Sequence, residues 1–240
     1  MFRIALLATA VALAGCGGGG GGAAPAVVAN VSAEGIWNGT GSNGVLISVV
    51  VLENGETWGL YGTSASINGA LFGSTTTNGS SVSITGSSFD FVSRASGPGS
   101  LTGSVVSKST LSVVSNAGTT LNAAYSATYD QAPSLAALAG TYSGQAVTGT
   151  IAPQNTSVTI SSTGAVSSVV PGCAASGSAV PRATGKNIFN VTVTFVGPSC
   201  ALGNGTVVNG VGVFNPSTRQ FVAMALNPSK SDGFVYSGIR

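Results

Sequence analysis

The stretch VLISVVVLENGETWGLYG, residues 45–62, sets two apolar runs on either side of Asn54-Gly55. That pair is the favoured occupant of a two-residue type I′ turn, whose central positions both need positive φ, so the stretch predicts a β-hairpin. Its first arm is apolar on both faces: Val45, Ile47, Val49 and Val51 alternate with Leu46, Val50 and Leu52. A strand with one face in water would alternate apolar with polar residues, so this arm is expected to be central or covered on each side.

The same period continues outward. TLNAAYSATY, residues 120–129, sets Leu121, Ala123, Tyr125, Ala127 and Tyr129 against a mostly polar face. NIFNVTVTFV, residues 187–196, does so with Phe189, Val191, Val193 and Phe195. Both read as half-buried antiparallel strands. Further turns are expected at Asn43-Gly44, Asn68-Gly69, Asn78-Gly79, Thr163-Gly164 and Asn204-Gly205. No segment after residue 33 keeps a helical period over a helix's length.

Spacing the strands by these turns gives about eight between residues 34 and 130 and about eight more between 139 and 240. The fold class is all-β: two small antiparallel β-barrel or β-sandwich domains. The boundary falls in YDQAPSLAALAG, where Pro133 breaks strand pairing and Ser134–Ala139 can make one helical turn. An internal echo supports two related modules. Gly35-Ile36-Trp37-Asn38-Gly39 and Gly140-Thr141-Tyr142-Ser143-Gly144 share the pattern G-x-aromatic-x-G, and each precedes an apolar hairpin with a glycine turn.

The N-terminus reads differently. Arg3 precedes an apolar run from Ile4 to Leu13, which is about ten residues against the roughly 20 needed to span a bilayer, so residues 1–15 read as a secretory signal. Leu13-Ala14-Gly15-Cys16 resembles the lipobox of bacterial lipoproteins, which implies acylation at Cys16. Residues 16–33 then form a flexible Gly/Ala linker with a reach of roughly 20 to 25 Å. Gly17 after the cysteine, by similarity to the enterobacterial sorting rule, implies the outer membrane. The expected organisation is signal peptide 1–15, lipidated linker 16–33, N-terminal β domain 34–130, linker 131–138 and C-terminal β domain 139–240.

Composition narrows the function. Charged residues are 6% of the chain, eight basic against six acidic, and without Arg3 the formal charge of +2 drops to +1. A nucleic-acid partner needs clustered Lys and Arg and is not expected. Disorder is not expected either, because Val, Ile and Thr are abundant. Once Cys16 is lipidated, Cys173 and Cys200 remain as an even pair in an oxidising compartment. A disulfide between them is expected, closing a loop of about 27 residues worth roughly 3 kcal/mol; two buried free thiols are the alternative.

The motifs GIWNGTG, VLENGETWGLYG, PSLAALAGTYSG, GKNIFNVTVTF…PSCA and the terminal GIR together resemble an uncharacterised family of two-module β-rich proteobacterial lipoproteins. That resemblance implies architecture and location only. A glycine-rich leash before small β-barrels is distantly similar to surface lipoproteins of the transferrin-binding protein B type. The G-x-W at Gly35–Trp37 is similar to the opening of lipocalin-like barrels, where such a Trp closes one end.

The chain contains no histidine, which excludes a Ser-His-Asp triad, a Cys-His pair and imidazole metal ligation. It carries no G-x-S-x-G, S-x-x-K or Walker-type loop. Glu53 and Glu56 flank a turn and are expected to point to solvent, so a facing carboxylate pair is not expected. No enzyme, metal or cofactor is anticipated. Trp37, Trp58, Tyr61 and Tyr142 can line a ligand cavity or simply fill a core short of bulk. The expected function is a cell-envelope binding module for a small apolar ligand or an envelope or host protein. The alternative is a structural surface lipoprotein with no ligand pocket.

Overall fold

The computed structural model describes residues 29–240. Residues 1–28, which carry the expected signal peptide, Cys16 and most of the expected linker, lie outside the described residues. Two closed, eight-stranded antiparallel barrels follow one another, each a simple meander. The first contains β1 (Gly35–Gly41), β2 (Leu46–Val51), β3 (Glu56–Gly62), β4 (Ile67–Asn78), β5 (Ser81–Asp90), β6 (Ala95–Val106), β7 (Thr110–Ser115) and β8 (Thr120–Tyr125). The second contains β9 (Gly140–Thr148), β10 (Gln154–Ile160), β11 (Ala165–Val170), β12 (Cys173–Pro181), β13 (Phe189–Val196), β14 (Val207–Asn215), β15 (Gln220–Leu226) and β16 (Gly233–Ile239). Closure pairs Trp37 with Tyr125 in one barrel and Gly144 with Gly238 in the other. Closure removes every unpaired sheet edge.

The fold class is therefore all-β with two eight-stranded domains, and both are barrels. Between them lie a 3₁₀ turn at Ala127–Asp130 and one turn of α-helix, α1 (Leu135–Leu138), in the segment expected for it. Ser134 caps that turn, its Oγ accepting from the Ala137 amide at 3.1 Å.

Three local expectations need correction. At Asn54-Gly55 only Gly55 has positive φ, +82°, so the turn is not type I′. The Gly55 amide donates to Leu52 O at 2.9 Å and the Leu52 amide to Glu56 O at 2.8 Å, which is a three-residue loop with glycine in the left-handed position. Gly44, Gly118 and Gly164 close their hairpins in the same way. Asn68-Gly69 is not a turn; it lies inside β4. The strand expected to run to residue 129 ends at Tyr125 because β8 has by then closed the barrel against β1, and Tyr129 turns off to another core.

β2 is covered on both faces, as its composition requires. Val49 and Val51 point into the first barrel, while Val50 and Leu52 point outward. The outward residues join Ile36, Trp58 and Phe89 in a seam with Val211, Met224 and Val235 of the second barrel. Polar groups clamp one end of this seam. Arg182 forks onto Glu53, with Nη2 to Oε1 at 2.8 Å. Asp130 holds Lys108 at 3.1 Å and Lys186 at 2.7 Å. A chain with so few charges places four of its six acids, Glu34, Glu53, Glu56 and Asp130, in contacts at or beside this junction.

Candidate functional site

In each meander the odd-numbered loops gather at one end and the even-numbered loops at the other. One end is closed in both barrels. In the first, Trp37 is fully buried and its indole N–H donates to Ala33 O at 2.8 Å. Residues 30–33 strap across this end, with the Val31 amide donating to Gly79 O and the Gly79 amide to Asn30 Oδ1, both at 2.9 Å. In the second barrel, fully buried Tyr142 donates its hydroxyl to Leu138 O, and α1 supplies the strap.

The two plugs are equivalent residue for residue. Trp37 and Ala33 correspond to Tyr142 and Leu138, and Gly35 and Gly140 share a φ of +150°. A Cβ at Gly35 would strike the Tyr125 ring, and one at Gly140 would strike Arg240. The Tyr125 ring stands edge-on to Trp37 at 5.3 Å in one barrel, while in the other the Arg240 guanidinium lies over Tyr142 at 5.6 Å. The echo in the sequence thus marks a repeated end-closure.

The opposite end of each barrel is open and leads to a lumen. The N-terminal lumen is about 270 Å³, lined by Ile47, Tyr61, Leu71 and Leu101, with Ser88, Ser100 and Asn116 among its polar groups. The C-terminal lumen is about 160 Å³. Phe195, Phe221 and Phe234 line it together with Val158, Val166 and Val193, and Gln154, Thr156 and Ser168 are among its few polar groups. Among the described residues no charged side chain lines either lumen. Tyr236, whose hydroxyl donates to Tyr142 O at 2.8 Å, also borders the C-terminal lumen. Burial pushes its pKa up to about 12, so it stays neutral.

The β13–β14 loop folds over the C-terminal mouth. Leu202 packs against the barrel core, and the Cys173–Cys200 disulfide, with Cα atoms 4.9 Å apart, ties the loop to the start of β12. The expected disulfide is therefore present, and it pins a cover over a cavity. Among the described residues no cluster of three His, Cys, Asp or Glu side chains is placed to hold a metal ion.

Of the aromatic residues singled out in the sequence, Tyr61 lines a lumen. Trp37 and Tyr142 are plugs. Trp58 sits outside its barrel in the seam, its ring centroid 4.6 Å from that of Phe72 and its indole N–H on Glu56 Oε1 at 2.8 Å. The structure does not bring these four together. The aromatic residues of the C-terminal lumen were not singled out, although the alternation through residues 187–196 already put Phe195 on the inward face. No family model, curated protein or solved structure matches this chain.

Proposed function

We propose that the chain is a lipid-anchored cell-envelope protein, without catalytic chemistry, that holds a small apolar molecule in the lumen of its C-terminal barrel. The observation that carries this reading is the cavity of about 160 Å³ walled by three phenylalanines and three valines beneath a disulfide-pinned loop. A cavity of ~150 Å³ is large enough for benzene. Drug-sized ligands need roughly 300 Å³ or more. The ligand in this reading is a single ring or a short branched chain, not a fatty acid. It is uncharged, because an ionised group would lose its hydration with no partner to replace it.

The anchor in this proposal is Cys16, in the outer membrane, and its support is the lipobox-like Leu13-Ala14-Gly15-Cys16. Residues 30–33 cross the closed end of the first barrel, so the chain enters opposite the open mouth of that barrel. A tethered molecule would then offer that mouth to the aqueous side.

The alternative, a structural lipoprotein that binds nothing, draws on the filled closed half of each barrel. Native mass spectrometry of the full chain extracted from its own membranes separates the two. A co-purifying mass lost in an Ala175→Leu variant, which fills the C-terminal lumen, supports the carrier. A bare polypeptide mass supports the structural reading. Labelled palmitate should enter the wild type and not Cys16→Ala.

A further inference from the structure

The two lumens differ in chemistry although the barrels share one plan. In the N-terminal barrel Val49, Gly59 and Leu71 are paired across β2, β3 and β4, and the middle of this inward layer has no side chain. Packing does not demand the glycine. A Cβ on Gly59 would meet Leu71 Cβ at 3.4 Å and Val49 Cγ2 at 3.7 Å, which is ordinary contact. Its absence leaves room in the larger lumen. One layer nearer the mouth, Tyr61 lies across Gly69, where any Cβ would strike its ring. The Tyr61 hydroxyl donates to Phe89 O at 3.2 Å and lies within hydrogen-bond reach of the Ser88 hydroxyl. Ser88, Ser100 and Asn116 line the same lumen.

We propose that the N-terminal lumen is a second, distinct binding site, for a small aromatic or alicyclic alcohol. This rests on the reading that the lumens hold ligands, and it assigns them different classes. The apolar body occupies the space beside Gly59, against Val49, Leu71 and Leu101. The hydroxyl reaches the polar groups around Tyr61. In the C-terminal lumen Thr156 and Ser168 are hydrogen-bonded to each other, Ser168 also donates to Ser157 O, Tyr236 donates to Tyr142 O and Gln154 is exposed. Its phenylalanine and valine walls therefore take a body with no polar group. A ring with one substituent fits about 270 Å³, since ~150 Å³ already holds benzene.

The test titrates the mature chain with p-cresol and with toluene, which differ by one hydroxyl, and follows amide and methyl NMR shifts near Tyr61 and near Phe195. At the Tyr61 site p-cresol should bind roughly fivefold to tenfold more tightly than toluene, the net value of one hydrogen bond. Gly59→Leu should abolish this binding and leave toluene at Phe195 unchanged, and Ala175→Leu should do the reverse. Gly59→Ala, whose methyl fits without displacing a neighbour, keeps the fold and should weaken p-cresol alone, so the proposal stays testable if Gly59→Leu fails to fold. Equal affinities at Tyr61, or p-cresol binding indifferent to Gly59→Ala, overturns the second site. Loss of toluene at Phe195 in the wild type overturns the carrier reading itself.

Discussion

Trp37 illustrates how one side chain closes a barrel. It fills the end of the first lumen, satisfies its only polar atom on Ala33 O, and packs against the Tyr125 edge. Trp37→Ala should cost about 3–5 kcal/mol in urea denaturation, because it removes buried area and leaves a cavity that the sheet cannot collapse into. The G-x-aromatic-x-G pattern was legible in the sequence, but the role of its aromatic residue was not. The same ring can line a pocket or plug it, depending on which strands close behind it. Asp130 carries a second residue-scale consequence. Lys186 first and Lys108 next hold its carboxyl down at about 2. A folded pKa below the unfolded value means that the stabilisation is present above about pH 4 and is lost as pH falls toward 2. Melting temperature measured from pH 5 to pH 2 should fall less steeply in Asp130→Asn than in the wild type.

Turns and strands are the elements that local chemistry encodes best. Period-two alternation placed β13, and glycine turn signals placed five of the hairpins, at Gly44, Gly55, Gly79, Gly164 and Gly205. Turn type was harder to read, because Asn-Gly serves both a two-residue loop and a three-residue loop ending in a left-handed glycine, and the strand register chooses between them. Gly55→Ala should therefore cost at least about 1–2 kcal/mol, since only the second position must adopt positive φ and a Cβ there would come within 2.8 Å of Thr75 O. The disulfide belongs to this scale too. The double variant Cys173→Ala/Cys200→Ala should lose roughly 3 kcal/mol by chain entropy. Hydrogen exchange should show its largest acceleration in residues 197–206, the loop that covers the C-terminal mouth.

At the scale of the whole molecule the barrels act through their seam. Outward side chains of β1–β5 meet those of β14–β16, with ion pairs at one border. Met224→Asp places an unpaired carboxylate in that apolar layer, at a cost of several kcal/mol before the group protonates. Calorimetry of this variant should show two separated transitions where the wild type shows coupled unfolding of both barrels; a single unshifted transition would mean that the seam contributes nothing. Alternation, turn residues and cysteine count are local or compositional properties, and they were enough for the all-β class, two modules of about eight strands and the cysteine pair. That β2 and Trp58 face a second barrel, that Trp37 and Tyr142 close one end, and that uncharged lumens remain at the other emerges only in the folded chain. Those outcomes depend on which distant residues a side chain meets, and on the volume left when two curved sheets close, neither of which a linear pattern specifies.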